Sequence, residues 1–152
     1  MLRGLTELSL DSKGRLVIPT RYRDALDRHC EGHLVVTIDI DPSCFLLLYP
    51  LPDWEEIERK LVKLPSLNEL TRQLQRQMLG YATECDMDGS GRILLPPPLR
   101  TFAGLEKSIV MAGQGNKFEI WDASKWNAQR DGWVAARAAG GPLPPELESL
   151  SL

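Results

Sequence analysis

Two stretches of this chain are variants of one phrase. LDSKGRLVIPTRYR at 10–23 returns as MDGSGRILLPPPLR at 87–100. Aligning them sets Asp11 on Asp88, Gly14 on Gly91, Arg15 on Arg92, Pro19 on Pro96 and Arg23 on Arg100. A repeat of this kind constrains the fold more than any other feature, because one supersecondary unit must be used twice. The likeness continues with a gap. LVVTIDIDPSCFLLLYPLPDW matches SIVMAGQGNKFEIWDASKW, with Tyr49 over Trp121 and Trp54 over Trp126. Each half therefore predicts strand, tight turn, strand, short helix, hairpin, helix.

Local chemistry gives each piece its reason. Leu8, Leu10, Leu16 and Ile18 alternate on either side of Ser12-Lys13-Gly14, the period of a half-buried strand. Gly14 tolerates positive φ, so the chain can reverse there. Pro19 and Pro96 lack an N–H and end the strand that follows each turn. RYRDALDRHCEGH predicts a short helix stopped by Gly32. Hairpins are expected to turn near Asp41-Pro42-Ser43 and at Gly113–Asn116. Between the halves, Asp53-Trp54-Glu55-Glu56 and Ser66-Leu67-Asn68-Glu69 each place a capping side chain three residues before a glutamate. Trp54, Ile57, Leu61 and Leu64 form one apolar stripe, and Leu67, Leu70, Leu74 and Met78 the next, with Pro65 between them. Two antiparallel linker helices are expected. Gly140-Gly141-Pro142-Leu143-Pro144-Pro145 predicts no helix, and ELESLSL a short, mobile acidic tail. The resulting division is a first repeat at 1–53, linker helices at 54–80, a second repeat at 81–130, and a helix end with tail at 131–152.

Composition excludes several classes of function. The longest apolar run, Phe45–Tyr49, is strand-sized, far short of the roughly 20 residues of a membrane helix. MLRGLTELSLDSKGR has no apolar core of signal-peptide type, so no export and no membrane are expected. Cys30, Cys44 and Cys85 are odd in number, without a Cys-x-x-Cys pair, and read as reduced thiols of a cytoplasmic protein. His29, Cys30 and His33 suggest a metal at first sight, but Gly32 interrupts their helix and no fourth ligand is apparent. Gly113-Gln114-Gly115 and Gly89-Ser90-Gly91 fail both nucleotide-loop patterns. Trp54, Trp121, Trp126 and Tyr49 sit in apolar-periodic segments and read as core or subunit contacts. No nucleophile–base signature appears. No enzyme, metal, cofactor or small-molecule substrate is expected.

What remains is the repeated turn. Net charge is −3, so any nucleic-acid contact must come from a concentrated patch. Residues 1–28 hold six bases against four acids, a modest patch. Asp11 and Asp88 precede their reversals, where a carboxylate accepts from turn N–H groups or pins the arginine four residues on. Arg15 projects beyond Gly14, and a guanidinium can grip a phosphate or the O6/N7 edge of guanine with two parallel bonds. Lys13 and Arg3 add charge beside it, and Arg21 and Arg23 flank it from the helix start.

The two phrases, each an apolar–Asp–x–x–Gly–Arg–apolar–x–apolar–Pro frame, closely resemble the MraZ family of the AbrB-like swapped-hairpin superfamily. The resemblance extends over roughly 1–130, through MLRG, CFLLLYPLPDWEEIE and GQGNKFEIWD. It implies an α+β fold in which two pseudo-repeats interleave as one swapped-hairpin β-barrel with linker and peripheral helices. It also implies a DNA-binding repressor of a division and cell-wall gene cluster, assembled as a ring and acting at the nucleoid. By position, it assigns DNA contact first to Arg15 and Lys13, then to Arg92, with Asp11, Gly14, Asp88 and Gly91 forming the turns. The copies differ. Gly89-Ser90 replaces Ser12-Lys13 and Pro97-Pro98 replaces Thr20-Arg21, leaving open whether the second turn contacts DNA or closes the barrel. A small patch binds DNA weakly and with strong salt dependence. Several subunits on repeated promoter boxes of double-stranded DNA raise the effective affinity by roughly 10²–10⁴. A homo-oligomer is therefore expected. Two rivals stand beside this reading: a ring-forming interaction scaffold, and an antitoxin-like module of the same superfamily.

Overall fold

Each half of the chain begins with a strand that finds its partner in the other half. The computed structural model describes residues 1–65 and 67–152. In the first half, β1 (Leu5–Ser9) and β2 (Arg15–Val17) precede α1 (Thr20–Cys30) and a hairpin of β3 (Leu34–Ile38) and β4 (Leu46–Pro50). Two helices follow, α2 (Leu51–Val62) and α3 (Glu69–Tyr81). The second half repeats the series as β5 (Thr83–Glu84), β6 (Arg92–Leu94), α4 (Pro97–Ala103), β7 (Ser108–Gly113), β8 (Phe118–Asp122) and α5 (Ala123–Ala138).

Pairing interleaves the halves. β1 lies antiparallel on β7, with Leu5 opposite Ala112 and Ser9 opposite Ser108, while β5 lies on β3. The six-stranded order β1-β7-β8-β4-β3-β5 is therefore a palindrome under exchange of the repeats, with its centre between β8 and β4. β2 and β6 pair across the same axis as a separate two-stranded ladder. The α+β class and the interleaving hold. Among the described residues the ladders form one six-stranded and one two-stranded antiparallel sheet, without a ladder that joins the two.

Although its edge strands β1 and β5 stay half-exposed, the large sheet is buried at its centre on both faces. One packs on Leu16, Ile93, Leu26 and Leu99, from the small ladder, α1 and α4. The other packs on Trp54, Leu61 and Met78 from the linker helices, with Trp121 stacked on Phe45 at 4.3 Å between centroids. This explains why β3 and β4 are buried at every position instead of alternating. Thr37, the one buried polar side chain among the described residues, donates its hydroxyl to the Met78 carbonyl at 2.6 Å and ties α3 to the sheet.

Several boundaries differ from the sequence reading. α2 starts at Leu51, with Pro50 rather than Asp53 at the cap, because the Leu51 N–H is taken by the His33 carbonyl as β4 ends. α3 is capped by Asn68, whose side chain accepts from the Leu70 N–H at 2.8 Å; the cap expected at Ser66 lies outside the described residues. Gln75 of α3 donates to the Leu61 and Leu64 carbonyls and so satisfies the end of α2. α1 stops on Glu31 in the left-handed region at φ 54°, one residue before Gly32. The linker stripes bury Trp54, Leu61 and Met78, but leave Leu67 and Leu70 exposed. Beyond Gly141 the chain forms one helical turn, α6 (Pro145–Glu148), where none was expected. Pro145 opens it, a position whose missing N–H costs nothing. No helix among the described residues is long and apolar enough to cross a membrane.

The turn glycines give a stability test. Gly14 has φ +85°, and a Cβ there would meet the Arg100 guanidinium at 2.6 Å. Gly14→Val should cost roughly 1–3 kcal/mol in backbone strain alone. At Gly89, where φ is not positive, a Cβ would meet nothing within 4 Å. Gly89→Ala should therefore change stability by no more than about 0.5 kcal/mol. Chemical denaturation of the two variants checks the contrast, and equal stabilities would refute the turn geometry.

Candidate nucleic-acid interface

The two turns are built alike although their middle residues differ. The Gly14 N–H closes on the Asp11 carbonyl at 3.0 Å, and the Asp11 N–H on the Arg15 carbonyl at 2.9 Å. Asp11 Oδ1 accepts from the Lys13 and Arg15 N–H groups, both at 2.9 Å. Its other oxygen accepts from Arg15 Nε at 2.8 Å. In the second copy Asp88 Oδ1 accepts from the Ser90 and Arg92 N–H groups at 2.8 and 2.9 Å, and Oδ2 from Arg92 Nε at 3.0 Å. One carboxylate thus shapes the loop with one oxygen and orients a guanidinium with the other. The pin uses Nε only. The terminal nitrogens of Arg15 and Arg92, whose side chains are about a third and two fifths exposed, stay available to donate to a partner's oxygens.

The β2/β6 ladder brings the turns together. Arg15 stands opposite Leu94, Leu16 opposite Ile93 and Val17 opposite Arg92. Leu16 and Ile93 point into the core, so the other four side chains share the outer face. Arg15 and Arg92 occupy one diagonal of that face, about 7–8 Å apart at their backbones. Gly14 and Gly91 flank the ladder, the Leu95 N–H donating to the Gly14 carbonyl and the Ile18 N–H to the Gly91 carbonyl. Each glycine is covered by the other repeat's arginine: Arg100 rests on Gly14, and Arg23 on Gly91. Both arginines are held by their Nε on a strand-end carbonyl, Leu95 for Arg100 and Ile18 for Arg23, each at 2.9 Å.

Lys13, Arg15, Arg23 and Arg92 therefore belong to one patch. Arg3 and Arg21 do not. Arg3 lies beyond the far end of β1, eight residues of extended chain from Asp11, or roughly 26 Å. The Arg21 guanidinium lies over the Tyr22 ring and bonds Thr6 and the Tyr22 hydroxyl, joining α1 to β1. Arg100, Val17 and Leu94 are the members that sequence reasoning passed over. Arg100 was legible as the repeat partner of Arg23, and the two aliphatics as the alternation in Arg-Leu-Val and Arg-Ile-Leu.

Elsewhere the titratable groups are occupied separately. His29 Nε2 lies 2.6 Å from Asp53 and His33 Nδ1 3.1 Å from Asp86, on different carboxylates. Among the described residues no group of three or more His, Cys, Asp or Glu could hold a metal ion. Burial raises the Cys30 thiol and pushes Cys85 up to about 12, so neither is poised as a nucleophile. A hollow of about 750 Å³ beside Leu26, His29 and Asp53 includes no turn residue. Trp54 and Trp121 are core, and Tyr49 tilts on Trp54 at 5.8 Å.

Comparison with known proteins points one way. The sequence profile described as "MraZ protein, putative antitoxin-like" matches twice, over residues 1–77 and 78–136. The chain is 55% identical to the transcriptional regulator MraZ of Halorhodospira halophila over 153 residues, covering all of both chains. It is 55% identical to the protein of that name from Nitrosomonas europaea, and 50% to that from Coxiella burnetii, again over the whole of both chains.

The turn makes a pH prediction. The Arg15 backbone N–H first, then its guanidinium and the Lys13 N–H, hold the Asp11 carboxyl at about 2, against an ordinary 3.8. A depressed folded pKa means that the carboxylate favours the folded turn fully above pH 3.8 and loses that effect as pH falls towards 2. Carbon-detected NMR should place the Asp11 midpoint near 2. In Arg15→Ala it should rise only part of the way, because the backbone N–H groups remain.

Proposed function

The chain belongs to the MraZ family, and from that premise we propose that it is a sequence-specific DNA-binding transcriptional regulator whose contacts are the paired turns. The observation that carries the reading is the outer face of the β2/β6 ladder, where two guanidiniums are pinned by Nε with their terminal nitrogens outward. Arg15 and Arg92 are the proposed phosphate or guanine contacts. Lys13 adds charge at the first turn, while Arg23 and Arg100 keep the turns in place and thicken the positive field. Asp11, Gly14, Asp88 and Gly91 form the turns. Arg3 and Arg21, at the other end of β1, would reach only a more distant phosphate.

The reading extends to a repressor of a division and cell-wall gene cluster, working in the cytoplasm at the nucleoid without catalysis. One patch per subunit makes few phosphate contacts on a chain of net charge −3. Binding to repeated promoter boxes as a homo-oligomer, in a ring, supplies the missing affinity through effective concentration. Exposed apolar side chains support subunit contacts: Val62, Leu67 and Leu70, near one another in sequence at the α2–α3 connection, are 65%, 93% and 61% exposed. The same exposed residues favour the scaffold rival, in which assembly matters and DNA is incidental.

Arg15→Ala separates the two. The Arg15–Asp11 pair is exposed, so its loss should leave folding and subunit number unchanged. Affinity for a promoter duplex should fall by about 1–3 kcal/mol per engaged subunit. The slope of log K against log salt should also flatten by about 0.9 per lost phosphate contact. Gel shifts at two salt concentrations, with light scattering for assembly, measure both. Unchanged binding by Arg15→Ala and Arg92→Ala would remove the site.

A further inference from the structure

The patch contains two side chains that electrostatics does not explain. Val17 and Leu94 stand on the outer face of the ladder, 43% and 54% exposed, on the diagonal opposite to that of Arg15 and Arg92. Each aliphatic group is directly across from a guanidinium: Val17 from Arg92, Leu94 from Arg15. Single exposed aliphatics are ordinary on a protein surface, but two set directly across from paired guanidiniums offer apolar contact area that phosphate binding alone does not use. The covering group must also suit the guanidiniums of Arg15 and Arg92 and the cations of Lys13, Arg23 and Arg100 around it. Like charge disfavours a second copy of this face. The occupant is a polyanion that carries small apolar groups at fixed places.

Double-stranded DNA has that chemistry. The thymine C5-methyl is the one apolar feature of the major-groove edge, and the groove, about 12 Å wide, admits a two-stranded ribbon. We infer that Val17 and Leu94 read thymine: the β2/β6 ladder enters the major groove, and each aliphatic side chain packs on one C5-methyl while Arg15 and Arg92 hold a phosphate or a guanine edge. The inference rests on the DNA-binding reading and adds a sequence preference to it. The two aliphatic positions are about 7–8 Å apart, which is about two base steps at 3.4 Å each. The repeat symmetry of the ladder then calls for a site with two thymines at that spacing. RNA should be rejected, since its major groove is too deep and narrow for side chains to read and its uracils lack the methyl.

Replacing thymine by deoxyuridine deletes the methyl and nothing else, so the full-length native protein can be tested without mutation. The probe is a duplex selected by the protein from a random-sequence library, remade with deoxyuridine at one thymine at a time, and titrated by fluorescence anisotropy. Two positions about two base steps apart should each weaken binding roughly three- to tenfold, the size expected for one buried methyl. Val17→Ala with Leu94→Ala should weaken binding to the thymine duplex similarly and become indifferent to deoxyuridine at those positions. Tight binding by the native protein that ignores every deoxyuridine overturns the thymine contact while leaving the DNA reading intact. A double variant that keeps the deoxyuridine effect but changes subunit number makes the face a subunit contact, and also overturns it. Selection of no duplex at all would remove the DNA reading itself, and this inference with it.

Discussion

At each turn a left-handed glycine leaves bare backbone, and the other repeat's arginine lies on it. Arg100 covers Gly14 and Arg23 covers Gly91, each arginine anchored by Nε on a carbonyl at the end of its own short strand. The two contacts are reciprocal, so each turn, though shaped by its own local hydrogen bonds, is covered only when both halves have come together. The rest of the interleaving follows. With the turns crossed, β2 can pair only with β6, and the chain leaving each turn enters its helix through Pro19 or Pro96. The strands before the turns, β1 and β5, are carried onto the hairpin of the opposite half.

This arrangement lets an acidic chain present a basic surface. Net charge is −3, yet the ladder's outer face and its rims gather Lys13, Arg15, Arg23, Arg92 and Arg100. The two aspartates nearest them are turned inward on the loops, where backbone N–H groups keep them ionised and their remaining oxygens steer the arginines. Steering leaves most of each guanidinium open. Because the two repeats contribute equally, the surface has the approximate two-fold symmetry of a duplex groove, and the weaker charge of the second turn changes its strength more than its shape.

Local chemistry made much of this legible. The alternation around Gly14 marked two strands, the proline after each turn marked the end of the second, and the repeat marked a second copy of the same series. Helix ends were less legible where tertiary partners intervened. Asp53 has the side chain of a cap, yet it sits inside the first turn of α2 and is engaged by His29, because β4 delivers the chain to the helix three residues earlier. Arg21 looked as available for phosphate as Arg23, but the side chains of Thr6 and Tyr22 are within its reach and take it up. The unbroken apolar runs of β3 and β4 showed burial without showing on what, since a sheet covered on both faces loses its period of two.

The elements and the turn that pins an arginine outward were written in local stretches, because each depends on residues within about four positions of one another, and the duplication was plain from the repeated phrase. Which strand lies against which, and therefore that Arg15 and Arg92 share a face while Arg3 and Arg21 do not, was decided only by the tertiary structure. Backbone hydrogen bonds between strands are the same for every residue, so a local pattern names a strand without naming its neighbour. The neighbour is chosen when the two halves close over a common core.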